Sequence, residues 1–83
     1  MEYNQLSSVP KQVSISIAKV TAFSNTSIIV ENYKGIVLYS NVNIEINTEK
    51  YLLKITGENL SIKYMTKEEL RVEGEITGIE FDK

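Results

Sequence analysis

Apolar and polar residues alternate with a period of two in the second half of the chain. Val42, Ile44 and Ile46 have even numbers, whereas the polar Asn43 and Glu45 have odd numbers, so the two groups differ in parity. Successive side chains of a β-strand point to opposite faces, so this alternation predicts strands with one buried and one solvated face. One-sided strands of this kind are typical of antiparallel sheets. The same rule holds for three later sets of apolar residues: Tyr51, Leu53 and Ile55; Leu60, Ile62 and Tyr64; and Leu70, Val72 and Ile76.

Turn-forming residues interrupt the apolar runs at short intervals from Gln12 onward. The pattern predicts one all-β domain over residues 11–83. Its expected form is an antiparallel meander of about seven to eight short strands, curled as a barrel or a sandwich. Residues 1–10 are polar and irregular, and are expected to be a flexible leader. The predicted strands are Val13–Ala22, Ser27–Glu31, Ile36–Tyr39, Val42–Thr48, Tyr51–Thr56, Leu60–Met65, Leu70–Ile76 and Gly78–Phe81.

The expected register pairs apolar residues with apolar residues, because a slip of one residue would reverse every face. Leu53 opposite Ile62 leaves Thr56–Asn59 as a turn. Ile44 opposite Leu53 leaves Asn47–Lys50 as another turn. The alternative left open by the same repeats is a short β-solenoid, in which the strands stack in parallel coils.

Two local patterns add detail to the predicted strands in the later part of the chain. Thr66 and Glu69 have the spacing of a helical capping box, but the strand pattern resumes at Leu70, so a turn is expected there. Ile76 and Ile79 differ in parity, which predicts a bulge or a turn at Thr77-Gly78.

Some apolar residues fall on faces that the alternation assigns to solvent. Ile29 and Val37 lie on the outer faces of runs that are apolar on both sides, and Leu52 lies on the otherwise polar face of its strand. Contiguous exposed apolar side chains mark contact surfaces, and a small β domain gains stability when its edges pair. Together with the aromatic Tyr33, these residues form the predicted interaction surface of a homo-oligomer.

The composition of the 83 residues removes several kinds of chemistry. The chain has no cysteine, no histidine and no tryptophan, and its formal net charge is −2 at pH 7. A Ser-His-Asp triad, a cysteine nucleophile and thiol redox chemistry are therefore excluded, as is a zinc site built on histidine or cysteine. The sequence predicts neither an enzyme nor a cofactor or metal site, and no small-molecule substrate is expected.

Glu73 and Glu75 are the strongest candidate pair for acid–base chemistry. Because they lie two residues apart on a strand, their carboxylates would be about 7 Å apart, within the range of an inverting glycosidase. Arg71 shares their face, and no pocket-forming pattern surrounds them. A solvated face of the sheet is therefore expected instead of a catalytic site.

Lysines beside tyrosines raise an alternative function. They occur at Tyr33-Lys34, Lys50-Tyr51 and Lys63-Tyr64. In small oligonucleotide-binding barrels, exposed aromatic rings stack on bases while lysines contact phosphates. Tyr51 and Tyr64 have core parity, which leaves Tyr33 and Tyr39 for stacking, and the excess of acidic residues opposes nucleic-acid binding. A nucleic-acid-binding small β-barrel remains the alternative, with nucleic acid disfavoured as a partner.

The expected location follows from two missing signals. The N-terminal segment lacks the basic region and apolar run of a secretory signal. No uninterrupted apolar stretch reaches the ~18 residues of a membrane span. The cytoplasm is therefore the expected location.

Four segments of the chain carry a resemblance to a known family. They are ENYKG (31–35), ITGENL (55–60), IKYMT (62–66) and the closing VEGEITGIEF (72–81). On these segments, within a match from about Val9 to Phe81, the chain resembles the YabP/YqfC family of sporulation proteins, and its YqfC-like branch in particular. No catalytic motif defines this family, so the resemblance supplies no active-site residue.

The resemblance implies a non-enzymatic protein required for bacterial endospore formation, acting as an interaction or assembly module in the mother cell. Relatives encoded beside membrane sporulation proteins imply a membrane-bound sporulation protein as a partner, and a peripheral position at the forespore membrane. The family also implies structural roles, with Gly35, Gly57 and Gly74 at turns or close approaches, and Leu60, Ile62, Ile76 and Phe81 in the core.

Overall fold

The computed structural model describes residues 17–83, which form six β-strands. They are β1 (Lys19–Phe23), β2 (Ser27–Glu31), β3 (Gly35–Tyr39), β4 (Asn43–Asn47), β5 (Leu52–Met65) and β6 (Glu69–Asp82). The predicted leader at residues 1–10 and the first part of the strand predicted at Val13–Ala22 lie outside the described residues. None of the described residues belongs to a helix long and apolar enough to cross a membrane.

All neighbouring strands are antiparallel, in the order β1-β2-β6-β5-β4-β3. The strands β3 to β6 form a meander, and the β1–β2 hairpin joins the other side of β6. This arrangement confirms the all-β prediction, and the alternative β-solenoid with parallel coils is wrong. Among the described residues the sheet stays open at β1 and β3, so it approaches a barrel or sandwich by coiling and not by closing.

Two long strands replace four predicted ones. β5 and β6 are each 14 residues long. The turn predicted at Thr56–Asn59 is therefore wrong, because these residues lie within β5, and Thr77 likewise lies within β6. Six described strands thus stand in place of the predicted seven to eight. Gly57 and Asn59 led to the wrong prediction because these residue types favour β-bulges as well as turns.

The observed register keeps the predicted faces but not the predicted partners. Ile44 pairs with Ile55 and not with Leu53, a displacement of two residues along β5. A shift of two residues preserves which side chains face the core, whereas a shift of one would reverse them. The parity of the sequence therefore predicted burial at most positions of β4 and β5, but it did not predict the pairing. Val42 and Tyr64, which it placed on the buried face, are exposed to 45% and 38%.

A β-bulge interrupts the pairing of the two long strands. Thr56 pairs with Gly78 and Gly57 pairs with Ile76, so Thr77 is an extra residue on β6. Of the bulge or turn predicted from the change of parity, the structure shows the bulge. Two further register shifts follow toward the tip of the hairpin. Extra residues of this kind bend a strand and increase its twist, so the long hairpin is bent along its length.

The short connection between β2 and β3 shows that the sheet is coiled. In the sheet order these strands lie four strand spacings apart, which is about 19 Å in a flat sheet. Only residues 32–34 join Glu31 to Gly35, and four extended Cα steps reach at most about 14 Å. The sheet must therefore curl until the end of β2 approaches the start of β3.

Residues 32–34, which join β2 to β3, are called the crossing. Backbone hydrogen bonds hold both of its ends. Asn32 has a φ of 62°, and its amide donates to the carbonyl of Glu68 at 2.7 Å. The amide of Lys34 donates to the carbonyl of Asn47 at 2.7 Å. The crossing thus connects the start of β6 with the end of β4.

Over residues 17–83, the inner face of the coiled sheet is buried by the sheet itself. The core side chains come from β2, β4, β5 and β6: Ile28, Val30, Ile44, Ile46, Leu53, Ile55, Leu60, Leu70, Val72 and Ile76. Withdrawing one such side chain fully from water contributes roughly 1.5–3 kcal/mol. Because β2 and β4 are not neighbours in the sheet, burying both inside one core requires the curl.

Gly57 and Gly74 lie where the two long strands press together. A Cβ at Gly57 would lie 2.1 Å from the carbonyl oxygen of Glu75, and one at Gly74 would lie 2.7 Å from that of Asn59. Gly74 also has a φ of 147°, which residues with side chains rarely adopt. The close approaches implied by the resemblance are therefore confirmed at these two glycines. A Cβ at Gly35, by contrast, would meet nothing within 4 Å.

Turns of the flanking hairpins pack against the bend. On one side, the amide of Gly57 donates to the carbonyl of Val42 at 3.0 Å. On the other side, the amide of Ile76 donates to the carbonyl of Asn25 at 2.8 Å. The bend in the long hairpin thus has hydrogen-bond partners in the flanking turns, beside the pairing of β5 with β6.

A hydroxyl group closes each turn of the meander. Ser40, Thr48 and Thr66 each begin a turn in which their own amide donates to the carbonyl of the third residue onward. In each turn the hydroxyl oxygen accepts a hydrogen bond from the amide of that same residue. Side-chain hydroxyls commonly stabilise turns in this way. The turn expected after Thr66 is confirmed, and the turn expected at Asn47–Lys50 lies one residue later.

Replacing Gly57 with alanine is expected to lower the free energy of unfolding by about 2–3 kcal/mol. The new methyl group would overlap the Glu75 carbonyl, which cannot move without disturbing the β5–β6 pairing. Urea unfolding followed by circular dichroism measures the change. Gly35→Ala is the matched control and should change stability by less than about 0.5 kcal/mol. Equal stability of the two variants would show that the close approach at Gly57 does not constrain the fold.

Thr48→Val is expected to lower the free energy of unfolding by about 1–2 kcal/mol. The substitution keeps the shape of this buried side chain but leaves the Tyr51 amide without its hydroxyl acceptor. Thr48→Ser keeps the hydroxyl and should lose less stability. The same unfolding experiment compares the two variants, and a valine variant as stable as the serine variant would contradict a stabilising role for the hydroxyl.

Candidate interaction surface

An uncharged strand forms one edge of the sheet. β3 pairs with β4 on one side only, and its other edge has no strand partner among the described residues. Three consecutive side chains of β3 are exposed: Val37 to 59%, Leu38 to 43% and Tyr39 to 54%. Val42, in the turn that follows, is exposed to 45%. These four residues are called the β3 patch.

A bulge in β3 explains why its apolar side chains leave the core. Ile36 pairs with Ile46 and packs against the core, but the next pair is Leu38 with Glu45. Val37 is therefore an extra residue, and the faces of the strand are exchanged beyond it. Leu38 consequently lies on the outer face of the sheet, beside a carboxylate.

Tyr39 extends from the edge strand toward the long hairpin. It pairs with the buried Ile44, so it lies on the core side of the strand. Its hydroxyl oxygen accepts a hydrogen bond from the amide of Ile62 at 3.2 Å. The side chain thus links β3 to the second half of β5 while more than half of its surface stays exposed.

The structure separates the four residues of the predicted interaction surface. Val37 lies in the β3 patch, whereas Ile29, Tyr33 and Leu52 are half-buried. Ile29 lies in the middle of β2 and Leu52 begins β5, and these strands are not neighbours. Of the four predicted residues, Val37 is exposed and the other three are half-buried on different elements of the fold.

Tyr33 helps to hold the crossing between β2 and β3. Its ring packs against the core, and its hydroxyl donates to the carbonyl of Thr66 at the tip of the long hairpin. Burial raises the pKa of Tyr33, and the nearby Glu68 carboxylate raises this pKa further. The hydroxyl group of Tyr33 is thus hydrogen-bonded within the fold.

Sequence reasoning missed two members of the β3 patch, Leu38 and Val42, and considered Tyr39 only for stacking on bases. The alternation placed Val42 on a buried face, but it lies in the turn before β4. The signal that could have found the patch is charge, because no acidic or basic residue occurs from Gly35 to Ile44. Natural edge strands commonly carry a lysine or another charge that blocks pairing with a second chain.

A second exposed apolar pair lies near the end of β6. Ile79 and Phe81 are exposed to 39% and 53%, although their partners Ile55 and Leu53 are fully buried. The core position that the resemblance implied for Phe81 is therefore wrong. β2 pairs with β6 only as far as Glu73. No described strand continues along the outer edge of the later residues of β6, which explains the exposure.

Two ion pairs lie on the surface, one near the β3 patch and one near the end of β6. Lys54 lies 3.2 Å from Asp82, and its hydrogen bond to that carboxylate raises the pKa of Lys54. Lys34 lies 3.3 Å from Glu49 near the start of β3. Water and salt screen ion pairs at the surface, so these two pairs affect local side-chain positions more than the fold.

The two carboxylates considered for catalysis have different surroundings. Glu73 accepts a hydrogen bond from Nε of Arg71 at 3.1 Å. Glu75 is exposed and lies opposite Glu58. Within residues 17–83, no group of three or more acidic side chains that could hold a metal ion comes together. The arrangement gives Glu73 its own charged partner on the sheet surface.

Two of the tyrosines beside lysines have partners within the fold. The rings of Tyr51 and Phe81 pack with their centres 5.0 Å apart. The hydroxyl of Tyr64 donates to the Glu69 carboxylate, and this hydrogen bond raises the pKa of Tyr64. Among the described tyrosines, Tyr39 is the most exposed. The most exposed of the described tyrosines therefore belongs to the β3 patch.

Comparison with known proteins finds one similar curated protein and one matching family. The curated "Uncharacterized protein YqfC" of Bacillus subtilis (strain 168) is 26% identical over 73 residues, which cover 88% of this chain and 78% of that protein. No solved structure matches the chain. The sequence model of the YabP family matches residues 13–83, a span that includes all six described strands. As the resemblance predicted, the chain belongs to the YabP family.

Proposed function

We propose that this chain is a non-enzymatic protein required for bacterial endospore formation, in which it acts as an interaction or assembly module. The YabP family is associated with sporulation, which supports the biological setting. The molecular part of the proposal concerns how the chain acts within that setting, and it is supported by the surface of the sheet.

The β3 patch is the observation that carries the molecular part. An exposed edge strand presents backbone N–H and C=O groups that a strand of another chain can pair with. The exposed apolar side chains of the patch would add contact area on both sides of such a pairing. A surface of this kind favours association with a protein partner.

The residue types and the surroundings of the candidate carboxylates support a role without catalysis. The sequence contains neither histidine nor cysteine, which are common general bases and nucleophiles at neutral pH. Glu73 is bound to Arg71 on the sheet surface. Binding therefore explains the exposed features of the molecule better than turnover of a substrate.

The proposed partners are a second copy of the chain and a membrane-bound sporulation protein. Either partner could offer a free strand to the edge of β3. The proposed location is the cytoplasm of the mother cell, with peripheral attachment at the forespore membrane through the membrane-bound partner.

Deleting the gene from the endospore-forming bacterium that encodes this chain is expected to lower strongly the yield of heat-resistant spores. The wild-type gene should restore the yield. Leu38→Lys should not restore it, because a charge on the β3 patch opposes strand pairing. Counting colonies after heat treatment measures the yield, and immunoblotting confirms that the variant accumulates.

Two control variants separate binding from catalysis. Met65→Lys places the same charge on an exposed apolar residue outside the patch and should support sporulation. A double variant, Glu73→Gln with Glu75→Gln, should do so as well. Normal sporulation of the deletion strain would contradict the proposal. Failure of the carboxylate variant at normal protein level would point to an enzyme instead.

A fluorescent fusion expressed from the native promoter should appear in the mother cell and concentrate at the forespore membrane. Removing the membrane-bound partner should disperse the signal through the mother-cell cytoplasm, because the chain would lose its attachment. Microscopy of sporulating cells measures the distribution. A signal confined to the forespore interior would be incompatible with the proposed location.

A further inference from the structure

We propose that β3 of one copy pairs antiparallel with β3 of a second copy, so that two sheets join across a two-fold axis at the β3 patch. This inference rests on the proposed function and commits the patch to one partner. It follows from the charges along the edges of the sheet, the order of residues in β3 and the size of the patch.

The edges of the sheet differ in charge. β1 begins with Lys19, and the later part of β6 carries Glu80 and Asp82. Two copies joined along β6 would bring their carboxylates together, and like charges on facing strands are destabilising. β3 contains no charged residue, and the charged residues nearest to it in sequence are Lys34 and Glu45. Self-pairing of β3 therefore meets no such repulsion along the strand.

A two-fold axis at Leu38 suits the order of residues in β3. Antiparallel pairing about this residue would place Val37 opposite Tyr39 of the second copy, so that apolar side chains face each other. Lys34 would face Val42 of the second copy, and the two lysines would not oppose each other. The exposed side chains of the patch would thus be covered without burying a charge.

The size of the patch indicates a weak dimer. A standard interface takes roughly 20–30 residues from each partner, whereas β3 is a strand of 5 residues. We therefore expect a dissociation constant on the order of micromolar, since affinity at small interfaces is limited by the cost of association. The dimer fraction should rise with protein concentration.

Sedimentation velocity on the full chain, from micromolar to millimolar concentration, tests the proposal. The wild type should shift from monomer toward dimer. Leu38→Lys should raise the dissociation constant at least about tenfold, because two lysines would face each other across the axis. Within the monomer the new lysine would lie beside Glu45, so circular dichroism should show an intact fold. Met65→Lys should dimerise like the wild type.

The absence of cysteine permits an independent test of the register. Leu38→Cys introduces a single thiol into the chain. Directly opposed residues of antiparallel strands have Cα atoms about 4.5–5.5 Å apart, which is within the range of a disulfide. Mild oxidation should therefore convert Leu38→Cys into a covalent dimer and leave Met65→Cys largely monomeric at the same concentration.

Several outcomes would overturn this inference. They are a wild type that stays monomeric throughout, a dimer that Leu38→Lys does not weaken, and a Leu38→Cys chain that forms no covalent dimer. A dimer that appears only after deletion of residues 1–16 would also overturn it, because the chain's own N-terminal segment would then cover the edge.

The purified-protein tests are independent of the sporulation assay. If Leu38→Lys abolishes sporulation while the wild type is monomeric, the patch binds a different protein and only the self-pairing is overturned. If the dimer behaves as expected while the deletion strain sporulates normally, the proposed function is overturned and the dimer stands.

Discussion

The bend in the β5–β6 hairpin is the constraint on which the rest of the structure depends. Residues 32–34 are too few to join β2 to β3 across a flat sheet, so the sheet must curl, and the register shifts between β5 and β6 supply the bend. Gly57 and Gly74 permit the bend because a side chain at either position would overlap the facing backbone. Once the hairpin is bent, one sheet encloses its own apolar face, and the buried residues of β2 and β4 share a core.

The same coil determines which surfaces remain for a partner. β1, β3 and the later part of β6 lie at the margins of the coil, where no described strand pairs with their outer edges. Of these three edges, β1 begins with Lys19, the later part of β6 carries Glu80 and Asp82, and β3 carries no charged residue. The polar residues lie mainly on the outer face, where Arg71 and Glu73 pair with each other. The surface that stands out is therefore an apolar edge suited to binding.

The inner face could be predicted because the alternation of residues is a local property of a strand. Ile44, Ile46 and Leu53 are buried where the parity placed them, whereas Val42 is exposed. The turn at Thr56–Asn59 could not be distinguished from a bulge, since glycine and asparagine serve both and the pairing strand decides between them. The bulge at Val37 likewise depends on pairing with β4. It moves Leu38 to the outer face, and no residue type near Val37 signals it. Only the missing charges of β3 could have revealed the patch.

Methyl–methyl nuclear Overhauser contacts between β2 and β4 test the coiled sheet most directly. In a flat sheet of this strand order the two strands would lie three spacings apart, about 14 Å, which is too far for such contacts. A coiled sheet predicts contacts from the methyl groups of Ile28 and Val30 to those of Ile44 and Ile46, because all four residues are fully buried in one core. A spectrum in which the methyl groups of β2 contact only those of β1 and β6 would contradict the coiled sheet and the exposed edge derived from it.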